Sequence, residues 1–406
     1  MLISAVITAL LAIPGSVPAP ATINPALRDA PADLSWYVVS DTEIYADGVL
    51  YNSWEALGQS GYFAQRDTRC GTHAHDEPVD PVTNPRGVPS DCSYNNTTTA
   101  SAYAPSNAKF RIPVVVHVIQ RTNGTGYIPE SRVRSQIDVL NEDFLAIAGT
   151  NGGPGFDTQI EFYLATEDPD GNPTTGITYS TNNTWYNDGG NYWNSLNWDT
   201  NRYMNIYTNS ASGALGYVPG LPQQGTPGTN GDRVVVLHSA FGRNSPIQNY
   251  NLGRTATHEV GHYLGLFHTF DGGCTVNGDR IADTNPESSP TYGCPGSRTS
   301  CSLPAPFDNY MDYSDDRCMD KFTHDQGFRM RCTLINYRPA LYQTEDPGEP
   351  CPADVSAPFG TLDFFDIAYF ISLYNSNDPA ADTNQDGTIN FFDISEYLVL
   401  FQAGCP

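Results

Sequence analysis

Cationic side chains are scarce in this 406-residue sequence, which has 20 Lys and Arg against 45 Asp and Glu and a net charge of −25. Because contacts to phosphate groups need Lys and Arg, this balance argues against nucleic acid or an anionic membrane as a partner. Long apolar runs are missing after residue 13, so no later segment is expected to span a membrane. With 39% apolar residues, the chain can still build globular domains with a sizeable core.

The N-terminus predicts secretion. An apolar run at residues 2–13 is too short to cross a bilayer, and Ala19-Pro20-Ala21 matches the small-residue pattern of signal-peptide cleavage. We therefore expect a signal peptide at 1–21 and a secreted protein, with attachment to a cell surface as a further option. No Lys or Arg precedes the apolar run, which leaves an amphipathic or disordered arm as the alternative.

Composition and periodicity divide the rest of the chain. We expect a loop-rich part at 22–105, an α+β domain at 106–342, an acidic linker at 343–350 and a small module at 351–406. In the α+β domain, the β-branched run at 110–121 predicts a buried strand, and the helical spacing of apolar residues at 133–144 predicts the next helix. Further strands are expected at 162–165, 203–207 and 231–242.

Three histidines and a glutamate occur in the motif THEVGHYLGLFH. On a helix, His258 and His262 face the same side and can bind one metal ion, while Glu259 lies at the open side of that ion. Gly265 permits a sharp turn that returns the chain, so that His268 can supply a third nitrogen. Three neutral imidazoles with an open fourth position are typical of catalytic zinc, with a carboxylate as general base. Unrelated histidines on an amphipathic helix are the alternative.

The extended motif HExxHxxGxxH, with a methionine turn beneath the metal, is the signature of metzincin peptidases. Met311, 43 residues after His268, supplies the methionine. With the blocks IPVVVHVI, QIDVLNEDF, GDRIADT, NYMDYSDDRC and FTHDQGFRMR, the sequence resembles the pappalysin family of metzincins, particularly its ulilysin-like members, over residues 110–342. The resemblance implies an α+β catalytic domain with a twisted mixed sheet, a zinc-binding helix and a loop-rich lower part held by disulfides.

The family also suggests roles for residues outside the zinc motif. Tyr313 occupies the position of a family tyrosine near the zinc, and its phenol would donate a hydrogen bond to the oxyanion formed during peptide hydrolysis. A packed core tyrosine is the alternative. The disulfides that the resemblance implies in the lower part are Cys274–Cys301 and Cys294–Cys318. Three further histidines that lie outside the motif, His117, His238 and His324, are interpreted as structural or surface residues.

The cysteine count is nine, an odd number for a protein held by disulfides. Cys70, in RCGTH, looks like the family's cysteine-switch segment, in which a thiolate at the fourth zinc position keeps the precursor latent until the segment is cut. An ordinary disulfide partner is the alternative. Cys351–Cys405 would join the ends of the last module, and Cys92–Cys332 is the pair left by elimination.

The C-terminal module contains a repeat with a period of 27 residues, GTLDFFDIAYFI and GTINFFDISEYL, and resembles dockerin-type repeats. Such a module is small and α-helical, and the resemblance implies a cohesin-like or cell-surface partner. Its second copy has EF-hand loop spacing, with calcium ligands expected from Asp382, Asn384, Asp386, the Thr388 carbonyl, Asn390 and Asp393. The first copy has Val355, Ala357 and Phe359 where ligands should be, so one calcium site is expected.

A second candidate calcium site lies in GDRIADT, where Asp279, Asp283 and Thr284 are close in sequence, with a solvated turn as the alternative. The sequence as a whole predicts a secreted zinc endopeptidase that is made as a latent zymogen, acts on proteins or peptides and uses calcium structurally. A non-catalytic, metal-binding surface adhesin on the same scaffold and a hydrolase of small molecules are the alternatives. Glu259 and Cys70 argue against the adhesin, because an inert protein needs neither.

Overall fold

The protein is represented by a computed structural model that describes residues 36–72, 92, 99–275, 278–345, 353, 355–356, 362, 364–384 and 387–404. The strands are β1 (Trp36–Val38), β2 (Ile44–Ala46), β3 (Val49–Tyr51), β4 (Lys109–Gln120), β5 (Ile160–Leu164), β6 (Ile177–Thr181), β7 (Met204–Asn209), β8 (Gly216–Tyr217), β9 (Val234–Leu237), β10 (Thr299–Ser300), β11 (Leu303–Pro304) and β12 (Gln343–Glu345). The α-helices are α1 (Trp54–Gln59), α2 (Tyr62–Arg66), α3 (Glu130–Phe144), α4 (Asn183–Tyr186), α5 (Trp193–Leu196), α6 (Arg254–Tyr263), α7 (His324–Tyr337), α8 (Phe364–Asn375) and α9 (Phe391–Ala403).

A mixed sheet organises the α+β part, as the sequence predicted. Its central strand β4 pairs in parallel with β5, β6 and β7, and the order continues through β9 to the antiparallel edge strand β8. Helix α3 buries its apolar face, including Val133, Ile137 and Leu140, in the main hydrophobic core. The α6 residues Ala256 and Val260 lie in the same core, which fixes this helix against the rest of the domain.

The predicted linker begins later than expected. Gln343–Glu345 form β12, which pairs antiparallel with Arg111, Phe110 and Lys109 of β4. The adjacent Tyr342 ring packs on Phe110 with centroids 4.1 Å apart. The acidic, Pro-containing composition concealed this strand, because three residues with one aromatic neighbour give no periodic signal.

The N-terminal part is more regular than the sequence predicted. The stretch 36–66 contains the antiparallel sheet β1–β2–β3 followed by α1 and α2, rather than loops alone. Its aromatic residues, such as Trp36, Trp54 and Phe63, share one apolar cluster with Leu215 and Val235 from the edge of the main sheet. These elements were not predicted because each is short and is stabilised by packing on another part of the chain.

Three disulfides join cysteines of the described residues: Cys92–Cys332, Cys274–Cys301 and Cys294–Cys318. The last two lie in the loop-rich region after α6, where little regular structure is present. The expected pair Cys351–Cys405 lies outside the described residues. Among the helices that the structure describes, none is long and apolar enough to cross a membrane.

The C-terminal repeat forms two similar helices, α8 and α9. Phe370 and Tyr397, which are 27 residues apart and therefore equivalent in the repeat, stack with ring centroids 3.8 Å apart and an interplanar angle of 2°. Each loop before a helix is tied to the aspartate in its first turn. Asp366 accepts hydrogen bonds from the backbone of Val355 and Ser356, and Asp393 accepts one from Asn390.

Candidate active site

Helix α6 carries the first two histidines and is held at its N-terminus by a buried carboxylate. The helix follows Gly253, whose φ of +88° is a conformation that glycine adopts without strain. Asp316 Oδ2 accepts hydrogen bonds from the backbone N–H groups of Leu252 and Arg254, at 2.9 and 3.2 Å. A negative charge at the start of a helix is stabilising, so the position of α6 is well defined.

The three histidine side chains converge on one point. His262 Nε2 lies 3.1 Å from His258 Nε2 and 3.0 Å from His268 Nε2. His258 Nδ1 donates to the Tyr310 carbonyl at 2.7 Å, and His262 Nδ1 donates to the Leu266 carbonyl at 2.8 Å. These bonds place the ring protons on Nδ1 and leave the Nε2 lone pairs facing one another. Burial lowers the pKa of His258 and His262 well below the usual range, so both rings are neutral.

A buried trio of imidazole nitrogens that converge on one point is the donor set that zinc requires. The Nδ1 bonds of His258 and His262 leave their Nε2 lone pairs directed at this point, and His268 Nε2 lies 3.0 Å from that of His262. His258, His262 and His268 therefore fit a zinc ion. The Gly265 turn, with φ of +94°, brings His268 back to the other two, as the motif predicted.

Met311 and Tyr313 border the same site from the loop before α7. A side chain at Gly261 of α6 would overlap Met311 Sδ, so the missing Cβ leaves room for the methionine beneath the helix. The Tyr313 hydroxyl lies 3.2 Å from His268 Nε2. Burial raises the pKa of Tyr313 well above its usual value, so the phenol keeps its proton and can donate it.

Cys70 reaches the same centre from the N-terminal part. Its Sγ and one nitrogen from each of the three histidines all lie within 4.8 Å of one another, and all four residues are buried. The thiol also lies 3.4 Å from Glu259 Oε2. It is the free cysteine among the described residues, and burial followed by the charge of Glu259 raises its pKa. A metal ion in the histidine cluster would reverse this preference and favour the thiolate.

The two residues after Cys70, Gly71 and Thr72, form hydrogen bonds with the edge of the main sheet and with Glu259. Gly71 donates its N–H to the carbonyl of Gly216 in β8 at 2.8 Å. The Thr72 hydroxyl accepts from the Val218 N–H at 2.9 Å and donates to Glu259 Oε2 at 3.1 Å. Thr72 was not predicted as a site residue. Its position two residues after the candidate zinc-binding Cys70, in RCGTH, was the signal available in the sequence.

Arg69 was also missed. Its guanidinium is fully buried, lies 3.8 Å from Asp316 Oδ1 and sits 5.1 Å from the centre of the Tyr250 ring. In the structure, Asp316 holds an arginine of the chain's own N-terminal part.

The structure does not assemble the predicted calcium site at Asp279, Asp283 and Thr284. Thr284 Oγ donates to Asp279 at 2.7 and 2.8 Å, so these two residues bond to each other. Asp283 points elsewhere and accepts from Thr323 Oγ and the Asp325 N–H at the start of α7. A loop carboxylate near a helix N-terminus satisfies backbone N–H groups there, which explains this arrangement without a cation.

The C-terminal loop brings several of its predicted ligands close together. Asp382 accepts from the Gly387 N–H at 2.8 Å, and Asp393 accepts from the Asn384 and Asn390 N–H groups at 3.4 and 2.7 Å. Asn390 Nδ2 donates to the Thr388 carbonyl at 2.9 Å. The remaining predicted ligand, Asp386, lies outside the described residues.

His117, His238 and His324 lie away from the histidine cluster. His117 is buried and bonds to Thr178 Oγ at 2.7 Å and Asn205 Oδ1 at 3.0 Å. His238 is buried beside the Trp54 ring, with centroids 5.2 Å apart. His324 is half exposed and contacts the adjacent Asp325.

A mixed sheet, a histidine-bearing helix with an adjacent glutamate and a methionine beneath it define a metallopeptidase. The profile described as Peptidase_M43, pregnancy-associated plasma protein-A, matches residues 191–335. The extracellular metalloprotease of Colletotrichum graminicola is 38% identical over 242 residues, which cover 57% of this chain and 78% of that protein. Extracellular metalloprotease 1 of Coccidioides posadasii is 37% identical over 251 residues, which cover 59% and 82%.

Two solved structures are similar as well. A mutant of promirolysin from Tannerella forsythia matches with a TM-score of 0.52 and 34% identity over 61% of this chain and 86% of that one. Mirolysin in complex with compound 9 matches with a TM-score of 0.52 and 36% identity over 58% and 96%. The chain belongs to the pappalysin-like M43 family of extracellular metalloproteases and is a metalloendopeptidase.

Proposed function

We propose that this protein is a secreted zinc-dependent endopeptidase of proteins or peptides, made as a latent zymogen. The observation that carries the proposal is the buried group of Cys70 and three histidines, with Glu259 in contact with the thiol. Relatives that are named extracellular metalloproteases support secretion. We assign residues 1–21 to a signal peptide, 22–105 to a propeptide and 106–345 to the catalytic domain.

In the active form, zinc held by the three histidines would polarise the scissile carbonyl and acidify a water molecule. Glu259 would take the proton of that water at its carboxylate and pass it to the leaving amine. Burial raises the pKa of Glu259 to about 8, and a zinc ion beside it would oppose this shift, so that the carboxylate is available as the base. Tyr313 would donate its hydroxyl proton in a hydrogen bond to the oxyanion, close to His268.

Latency follows from three contacts of residues 70–72. The thiol of Cys70 would occupy the fourth zinc position, and the Thr72 hydroxyl donates a hydrogen bond to the carboxylate of Glu259. Gly71 donates its N–H to the Gly216 carbonyl of β8. Together these contacts block the metal, the general base and a strand edge that could pair with substrate. Proteolytic release of this segment would open all three at once.

The surroundings of Arg69 support a preference for basic side chains. Asp316 and the Tyr250 ring already accommodate one guanidinium in a buried position next to Cys70. After release of the segment, Asp316 would remain without this cation, and a buried carboxylate favours a positive partner. We infer that an Arg or Lys side chain of the substrate takes its place.

The C-terminal module would bind one calcium ion and attach the enzyme to a partner. The loop contacts of Asp382 and Asp393 support the calcium site. Phe364 and its repeat equivalent Phe391 are 74% and 70% exposed, and Phe392 is 70% exposed. Apolar groups exposed in this number mark an interaction surface, which fits a cohesin-like or cell-surface partner.

The test compares wild type with Glu259→Gln after each has been cleaved by a trypsin-like protease and repurified. Wild-type protein should bind about one zinc per chain and hydrolyse casein, with cuts beside Arg or Lys in the mass-spectrometric map. The Gln variant should bind the same zinc and lose at least about 100-fold in rate, because the general base is absent. Equal hydrolysis by both proteins would refute the mechanism, and zinc binding without turnover in wild type would favour the adhesin alternative.

A further inference from the structure

We propose that Asp143 is a positioning residue for the metal site, because its buried carboxylate connects the two structural elements that orient His258. Asp143 lies on α3, well separated in sequence from the histidines, and is fully buried. The inference rests on the proposed function, since it concerns the zinc ligands of that site.

The Asp143 carboxylate accepts hydrogen bonds from three side chains. Oδ1 accepts from Arg254 Nη2 at 2.9 Å and from the Tyr310 hydroxyl at 2.9 Å. Oδ2 accepts from Thr257 Oγ at 2.7 Å. Arg254 and Thr257 belong to α6, whereas Tyr310 belongs to the loop that contains Met311.

Both connections lead directly to His258. Thr257 precedes this ligand in the helix, so the hydrogen bond to Oδ2 restrains the backbone that carries it. Tyr310 accepts the Nδ1 proton of His258 on its own carbonyl at 2.7 Å, which sets the orientation of the imidazole ring. The Asp143 carboxylate thereby restrains His258 in two ways: through the α6 backbone next to it and through the residue whose carbonyl accepts its Nδ1 proton.

Anchoring of α6 alone does not explain this arrangement. The first turn of the helix is already held by Asp316, which accepts from the N–H groups of Leu252 and Arg254. Asp143 is costly to bury, and burial raises its pKa to about 6 even though Arg254 opposes the shift. A neutral residue would fill the same space, so the charge is explained by the three donors that it organises.

The test measures the zinc dissociation constant of the full-length protein by competition with a chromophoric chelator. Asp143→Asn should weaken zinc binding by about 10- to 100-fold, the usual effect of losing a group that orients a metal ligand. Tyr310→Phe removes only the phenol and its bond to Asp143, and should weaken zinc binding in the same direction. The double variant should lose less than the sum of the two, because both changes break one connection.

Glu130→Gln is the matched control, since it removes another charge on α3, which pairs with Arg134 at the surface. This variant should leave the zinc affinity within about twofold of wild type, because the substituted residue shares no hydrogen-bond partner with Asp143 or with the histidines. Wild-type zinc affinity in a folded Asp143→Asn protein would overturn the proposal. If that variant does not fold, unchanged affinity in Tyr310→Phe overturns it instead. Failure of wild type to bind zinc would reject the proposed function as well, which separates the two outcomes.

Discussion

Gly261 shows how a single missing side chain shapes the metal site. A Cβ at this position would overlap Met311 Sδ and lie 3.5 Å from the Phe322 ring. The clustering of the three histidines above Met311 could be predicted because their spacing within the sequence is itself the signal. Asp143 and Tyr310 could not, since they are 167 positions apart and their contact depends on how α3 packs against the loop before α7.

Gly261→Ala should therefore force Met311 out of its position. We expect a loss of about 1–3 kcal/mol in the free energy of unfolding, as for other overpacked cores, together with weaker zinc binding. Urea unfolding and chelator competition measure the two effects. Gly296→Ala is the control, because an added Cβ there meets no atom within 4 Å; equal stability of the two variants would contradict the prediction.

His117 provides a prediction about pH. Burial lowers the pKa of His117 to about 4 and that of His238 to about 3, so both rings are neutral in the folded protein. The unfolded chain takes up these protons near pH ~6.5, so the stabilisation present above that pH is lost as the pH falls toward the folded-state pKa. At pH ~5 the loss amounts to about 2 kcal/mol for each histidine.

His117→Gln can keep hydrogen bonds to Thr178 and Asn205 but cannot be protonated. Between about pH 7 and pH 5, the variant should lose about 2 kcal/mol less of its unfolding free energy than wild type. Urea titrations at the two pH values measure this difference. The contribution of carboxylates to the pH dependence is the same in both proteins and cancels in the comparison. The same pH dependence in wild type and variant would show that His117 does not contribute.

At the scale of elements, long patterned segments were predictable and short ones were not. Strand β4 and helix α3 follow from a continuous apolar run and from helical spacing, and the structure confirms both. Strands β1 to β3 and β12 have only three residues each, so their patterns cannot be distinguished from loops. Their apolar residues gain stability from distant partners, which one segment of sequence does not reveal.

The segment 69–72 lies against β8 in the position where a substrate strand could pair. Cys70→Ser removes the thiol but leaves the backbone contact of Gly71 and the Thr72 hydroxyl in place. The uncut variant should cleave a fluorogenic peptide at least about 10-fold faster than uncut wild type, since a hydroxyl binds zinc far more weakly than a thiolate.

Cys70→Ser combined with Glu259→Gln is the control, because it lacks the general base and therefore measures the hydrolysis due to contaminating proteases. Gel analysis of the reaction confirms that the chain remains intact. If uncut Cys70→Ser were as inactive as uncut wild type, the thiol would not be required for latency, and the contacts of Gly71 and Thr72 would suffice.

At the scale of the whole molecule, the negative charge is unevenly distributed. Residues 343–406 contain 11 acidic residues and no Lys or Arg. The catalytic part is held by its sheet, its core and two disulfides, and a third disulfide joins it to Cys92 of the preceding part, 240 residues from Cys332. The C-terminal helices depend on a small core around the stacked Phe370 and Tyr397 rings, so calcium should matter most for this module.

Calcium should therefore raise the thermal stability of the C-terminal module and leave the zinc-loaded catalytic part unchanged. At a calcium concentration about 100 times the dissociation constant, the stabilisation would be about 2.7 kcal/mol. Differential scanning calorimetry of the full chain with and without calcium measures the module's transition. Asp393→Ala should abolish the response, and a response that persists in this variant would place calcium elsewhere.

The contacts of residues 69–72 with β8, Glu259 and the histidine cluster also define a chemical template. A tetrapeptide analogue would need only a thiol for the metal, a backbone N–H for the Gly216 carbonyl and a hydroxyl for Glu259. Since the side chain before the thiol fills a buried acidic site, a guanidinium there would add selectivity. Under the proposed latency, these four consecutive residues would outline a competitive inhibitor of the active form.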